Sequence, residues 1–228
     1  MRRTAWIAGI VAIAAPVAAQ TAPPPVPPLG DLFAPVTSAP AAPDADGFLR
    51  RWLILEAVAK PNPTNAVFTG TYVRQALSPD TYPGRWAVLP REGQTVRVGD
   101  QSLLWHAYDS RIWDVKLFHF AQSLGKPRYG VVFWTTTVVT SPRERRNVRL
   151  AVGSNSASRW WLNGANVADL YDDRRMVMDD VLSDRLTLRQ GRNILRGAVI
   201  NGPGLSDFAV RFVDADGKPV RDLTLAVQ

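Results

Sequence analysis

From Phe48 onward the apolar residues recur mostly at intervals of two, the period of an extended strand with one face buried. The segments TVRVGD (95–100), YGVVFWTTTVVT (129–140), NVRLAVGS (147–154), RWWLNG (159–164), DRLTLRQG (184–191), ILRGAVIN (194–201) and DFAVRFVD (207–214) all predict strands. Turn chemistry separates them: Ser-Pro at 141, Asn-Gly at 163, Gln-Gly at 190, Gly-Pro-Gly at 202 and DADGK at 214. Many short strands at this spacing predict an all-β fold, an antiparallel β-sandwich. FLRRWLILEAV (48–58) reads either as a helix or as the first strand, with Trp52 and Ile54 sharing a face.

The adjacent tryptophans of SRWWLNGANV (158–167) cannot share a face, because side chains alternate across a strand. Trp160 falls with Leu162 on the apolar face and is predicted to lie in the core. Trp161 falls with Arg159 and Asn163 on the polar face. That leaves it as a sugar platform, a protein contact, or a ring covered by the loop at 171–182. Asn163 and Gly164 both tolerate positive φ, which predicts a tight hairpin pairing Trp161-Leu162 with Val167-Ala168.

Ahead of this region the pattern changes twice. Residues 1–19 carry Arg2 and Arg3, an apolar run from Ala5 to Ala15, and small residues at Val17 and Ala19, which predicts a signal peptide cleaved after Ala19. The run is too short to span a bilayer, so no membrane span is expected after cleavage, and a periplasmic or secreted location follows. Residues 20–46, rich in proline and alanine, read as a disordered linker, with Leu29, Leu32 and Phe33 as its one apolar island. Residues 47–228 are then one sandwich domain.

Composition adds little to this. With 46% hydrophobic and 21% charged residues the chain can bury a sizeable core, and without cysteine that core alone must stabilise it. The formal charge is +7; without Arg2 and Arg3, 25 basic residues face 20 acidic ones. An exported chain seldom meets nucleic acid, so none is expected as a partner; the excess suits solubility or an anionic surface.

VRLAVGSNSASRWWLNGANVADL, followed by LTLRQGRNILRGAVINGPGLSDFAVRFVDADG, resembles the galactose-binding-like jelly-roll modules of bacterial glycan-active proteins. The matching positions are Gly153, Ser154, Trp161, Leu162, Asn163, Gly164, Leu188, Gly191 and Asn193, within residues 129–216. The resemblance implies a jelly roll that binds carbohydrate. Where the family often has two acidic residues after Gly-Ser, this chain has Asn155 and Ser156, a poor calcium loop, and no metal or other cofactor is expected.

No catalytic constellation emerges: there is no Gly-x-Ser-x-Gly elbow, His-Glu-x-x-His, phosphate loop or cysteine nucleophile. Two histidines occur, His106 and His119; His106 lies near Ser102, Asp109 and Ser110 in sequence. Asp172-Asp173 and Asp179-Asp180 flank RRMVM and read as loop charges paired with Arg174, Arg175 and Arg185. Arg143, Arg145, Arg146 and Arg149 suit the carboxylates or sulfates of acidic sugars, or else form a solvated turn. The sequence therefore predicts a non-catalytic exported module binding carbohydrate or another cell-envelope ligand, through Trp161, Arg159, Asn155 and Tyr171. A module docking on an envelope protein partner is the alternative. A glycan hydrolase or esterase, with its chemistry in residues 60–128, is the third.

Overall fold

The computed structural model describes residues 28–62, 64–172 and 174–227. The signal peptide expected at 1–19 and the first part of the linker lie outside the described residues, as does Asp173. In chain order the elements are α1 (Leu29–Leu32), β1 (Phe33–Pro35), β2 (Arg51–Leu55), β3 (Val58–Ala59), α2 (Gly70–Ala76), β4 (Thr95–Val98), β5 (Gln101–Ser110), α3 (Leu117–Ser123), β6 (Val131–Ser141) and β7 (Arg145–Ser154). They continue through β8 (Ser158–Leu162), β9 (Ala165–Leu170), β10 (Val181–Leu182), β11 (Leu186–Leu188), β12 (Gly191–Asn201), β13 (Phe208–Val213) and β14 (Thr224–Ala226). Every segment with a period of two became a strand, and 48–58 contributes a strand, β2, rather than a helix.

Two antiparallel sheets face each other, forming a β-sandwich. The larger runs β1-β5-β2-β6-β12-β8-β9, with β3 and β14 paired to β6 and β4 to β5; in the smaller, β7 pairs with β10, β11 and β13. The inner core joins Trp52 and Ile54 of β2, Phe133 of β6, Leu195 and Val199 of β12 and Trp160 and Leu162 of β8 to Leu150, Val152, Phe208 and Phe212 of the smaller sheet. Trp52, Trp160 and Phe208 meet as a ring cluster with centroids 5.0–6.0 Å apart. Trp160 and Leu162 share the inner face, as their alternation requires.

The other face of the larger sheet is buried as well. Leu53, Leu55, Trp105, Trp134, Trp161 and Ile200 lie there beneath Phe68, Val73, Leu77 and Tyr82, contributed by residues 65–93. This segment is a third layer over the sandwich. Its α2 is capped by Thr69, whose hydroxyl accepts from the Tyr72 amide, and it buries Val73 and Ala76 against the sheet. Alternation alone does not reveal such a layer, because the strands beneath it carry Arg and Thr among their outward residues.

Within residues 28–46, where the sequence predicted a disordered linker, Leu29–Leu32 forms a helical turn and Phe33–Pro35 a strand docked on the sandwich. The apolar island supplies the reason: Phe33 is 1% exposed, Leu29 and Leu32 pack on the same core, and β1 pairs with the edge of β5 from Phe33↔Ser110 to Pro35↔Tyr108. Farther along, Ala41 bridges Leu225, and Arg51 donates to the Ala39 carbonyl. Proline-rich backbone makes few bonds to itself, yet it suits a sheet edge and the surface of a sandwich.

The hairpin at 163–164 forms with the expected backbone, Asn163 at φ +52° and Gly164 at φ +88°. Its register differs from the expected one. Two loop residues pair Leu162 with Ala165 and Trp161 with Asn166, and a shift after Trp161 then pairs Trp160 with Ala168. Asn163 Nδ2 donates to Asn193 Oδ1, and Asn163 Oδ1 accepts from the Ile194 amide, both at 2.9 Å. Asn193, fully buried, also accepts from the Arg189 amide and donates to the Arg189 and Gly191 carbonyls. The hairpin tip is thereby fastened to the turn that enters β12.

Candidate functional site

Trp161 is 2% exposed, so it is no open platform. It stacks on Trp134 at 5.8 Å with planes 27° apart, while Trp86 meets it edge to face at 5.3 Å. Trp86 and the Arg159 guanidinium cover the ring, and Tyr171, at the start of the loop at 171–182, packs on the same cluster. Arg159 is itself buried, 5.3 Å over the Trp161 ring, and donates to Asp169 Oδ1, Asn166 Oδ1 and the Arg74 carbonyl. Tyr171 joins this network: its hydroxyl donates to Asp169 Oδ2 at 3.0 Å and accepts from Arg74 at 2.8 Å. Trp161, Arg159 and Tyr171 are thus brought together, but as a filled polar-aromatic joint between β8, β9 and α2.

Asn155 stands apart from them. Its side chain accepts from the Asp207 amide at 2.7 Å, in a buried knot where Lys116 Nζ lies 2.7 Å from Asp114 Oδ2 and 3.2 Å from Asp207 Oδ2. Burial pushes the Asp207 carboxyl above its ordinary range, against the opposing pull of the Lys116 ammonium. The ammonium fills the space between the two carboxylates, and among the described residues no cluster of three or more metal-ligating side chains occurs.

The catalytic possibilities of the sequence do not assemble. His106 lies 3.3 Å from Glu56 Oε1, whose carboxylate also takes Lys126 Nζ at 3.0 Å and the Leu104 amide. Asp109 is held bidentately by Arg51, and the Ser110 hydroxyl donates to the Ile112 and Asp114 carbonyls. No hydroxyl is bonded to His106 among the described residues. Of the loop acids, Asp180 pairs with Arg174 as expected, whereas Asp179 is held by Arg211 of β13. Arg143 and Arg145 share Asp222, and Arg146 takes Glu144, so that basic turn is partly ion-paired.

An opening lies on the outer face, beside the hairpin tip. It is a cleft of about 610 Å³ lined by Trp86, Val88, Gly164, Arg189, Arg192 and Arg196 with their neighbours. Period-two alternation places Arg192, Ile194 and Arg196 on the outward face of β12. Arg196 pairs in register with Trp161 on one side and Thr136 on the other, so its side chain rises from the middle of the sheet. Its guanidinium packs 5.0 Å over the Trp86 ring and 5.6 Å over the Tyr82 ring, and Nη2 donates to the Val88 carbonyl at 3.3 Å. Trp86 is partly exposed, the Gly164 backbone lies at its indole edge, and Arg189 and Arg192 are open to solvent. The cleft joins an amphipathic ring, a hairpin tip and guanidinium forks, and no carboxylate is among its lining groups.

Sequence reasoning missed Trp86, because SPDTYPGRWAVLPREG (78–93) has turn composition and no period. The signal available was the presence of Tyr82 and Trp86 in a segment otherwise polar and proline-rich, where a ring has little reason to sit unless it covers something.

No protein-family model matches the chain, and no curated protein matches it. Solved structures give faint likenesses. A PA14 sugar-binding domain from an RTX adhesin is 11% identical over 77% of this chain and 96% of that one, with a TM-score of 0.42. The PA14 domain of the antifreeze protein MpAFP is 10% identical over 75% and 86%, with a TM-score of 0.41. A β-glucosidase from Kluyveromyces marxianus is 15% identical over 72% of this chain and 18% of that one, with a TM-score of 0.38. Likenesses this faint leave function to be argued from the site.

Proposed function

We propose that this chain is an exported, non-catalytic carbohydrate-binding module of the cell envelope or extracellular space, with its site in the cleft between Trp86 and the Asn163-Gly164 hairpin. The observation that carries this reading is the cleft itself. Sugars present C–H faces that pack on a flat ring while their hydroxyls need donors and acceptors beside it. Here the partly exposed Trp86 ring adjoins the guanidinium groups of Arg189, Arg192 and Arg196 and the exposed hairpin backbone. Trp161, the ring favoured by the strand pattern, then acts from beneath: it holds Trp86 in place edge to face.

Export rests on the signal-like residues 1–19, with cleavage after Ala19, and the jelly-roll assignment rests on the resemblance of residues 129–216. The folded unit in this reading includes Phe33 and Ala41, which belong to the sandwich. The ion pairs that engage His106, Glu56 and Asp109 support a binding role over hydrolysis. The test is titration of the mature chain, residues 20–228, on an array of neutral and acidic glycans. Binding at micromolar to millimolar affinity that disappears in Trp86→Ala supports the reading. No glycan binding anywhere on the array refutes it.

A further inference from the structure

Among the described residues three arginines are less than a tenth exposed, and two of them have a carboxylate: Arg51 has Asp109 at 2.8 Å and Arg159 has Asp169 at 2.9 Å. The third, Arg196, at 3% exposure, has none. Its Nε is buried without a hydrogen-bond partner, and so is the hydroxyl of Thr136, directly across the β12–β6 ladder. A guanidinium taken out of water without a counter-charge is costly, and natural structures rarely leave one so. The polar groups that do touch it, the Val88 carbonyl and the faces of Trp86 and Tyr82, are neutral.

Arg189 and Arg192 deepen the imbalance. Both line the same cleft, neither is ion-paired among the described residues, and no acidic side chain shares the lining. In the arginine-rich turn, by contrast, Arg143 and Arg145 share Asp222 and Arg146 pairs with Glu144. Three cations concentrated around one opening, one of them desolvated and all unmatched, form a site short of one anion.

We propose that the cleft is selective for glycans carrying an anionic substituent, a carboxylate or a sulfate ester, and that the anion seats among Arg189, Arg192 and Arg196 while a sugar ring lies against Trp86. This inference rests on the sugar-binding reading of the same cleft and names its substrate class. The two exposed guanidinium groups supply the forks that match planar or tetrahedral oxyanions, and the Arg196 charge, held by its aromatic neighbours, adds a fixed positive field. Because the walls exclude part of the solvent, this field is screened less than that of an open surface.

Matched pairs test it: trigalacturonate against its methyl ester, and a sulfated galactan oligosaccharide against its desulfated form, each titrated calorimetrically into residues 20–228. The expected result is at least tenfold tighter binding of one charged member over its neutral twin, weakening as salt rises. The Arg189→Gln/Arg192→Gln double variant, altered only at exposed positions, is expected to bring the charged member to the affinity of the neutral one with an unchanged melting temperature. Preference for the carboxylate pair or the sulfate pair identifies the substituent. Equal affinity for charged and neutral members of both pairs overturns the anionic specificity and leaves sugar binding standing. Absence of binding to these probes and to the whole glycan array overturns both.

Discussion

Gly197 of β12 lies directly across from Trp160 of β8, and the indole occupies the space that a side chain at 197 would need. A Cβ built there collides with Cε3, Cζ3 and Cη2 of the ring. The glycine therefore serves close approach, not backbone freedom, and it is what lets the largest residue type sit between two sheets. Gly197→Ala is expected to destabilise the protein by about 1–3 kcal/mol through overpacking. Urea unfolding checks this. A Gly197→Ala/Trp160→Phe pair should be less unstable than the two single costs added together, since each change relieves the other's misfit.

Trp161 and Trp86 should separate in their effects although they touch. Trp161→Ala opens a cavity beneath the third layer and is expected to cost about 3–5 kcal/mol. Trp86→Ala removes a partly exposed ring at the cleft wall. It should cost less stability than Trp161→Ala, yet abolish glycan binding. Thermal unfolding and calorimetric titration of the two variants decide between ring as scaffold and ring as platform; a Trp86→Ala variant that binds normally contradicts the assignment.

Lys116 is shared between two nearly buried carboxylates, Asp114 and Asp207. Lys116→Met leaves both without a counter-charge and is expected to cost about 3–5 kcal/mol at neutral pH. Burial already holds the Asp207 carboxyl above its ordinary range, and loss of the ammonium raises it further, so acidification should recover part of the loss as that carboxyl protonates. Denaturant midpoints at pH 7 and pH 5 for wild type and variant read this directly; a gap that widens on acidification contradicts it.

Glu56 behaves in the opposite sense. Burial alone would raise its pKa, but bonds from Lys126, the Leu104 amide and His106 outweigh burial and hold it below the ordinary value of 4.5. A carboxyl depressed in the folded state stabilises fully above its unfolded pKa and loses that contribution as pH falls through the folded one. Stability should therefore decline below about pH 4.5, and Glu56→Gln should show a shallower acid decline from a lower plateau. Melting temperatures from pH 7 to pH 3 test the sign.

Local alternation made the sandwich legible. It placed the seven expected strands, put Trp160 with Leu162 and Trp52 with Ile54 on inward faces, and the Asn-Gly pair marked the hairpin. The candidate site was only partly legible. The pattern correctly set Trp161 on the face opposite Trp160, but its polar neighbour Arg159 suggested solvent where the structure has a buried cation over the ring, paired with Asp169. Among arginine groups, composition pointed to the run at 143–149, where Asp222 and Glu144 pair with Arg143, Arg145 and Arg146.

The sequence by itself determined the two faces of each strand, because side-chain direction along a strand depends only on the residue's parity in the chain. It likewise determined the tight turns, since positive φ at Asn163 and Gly164 is a local property of those residues. Only the tertiary structure decided what lies over each face. Residues 65–93 cover the outer sheet and Phe33 docks on its edge, and both contacts join segments far apart in the chain with no local signature. By the same folding Trp86 comes to the hairpin tip and Arg196 is left without a carboxylate, so the position of the cleft and its charge arose from long-range packing.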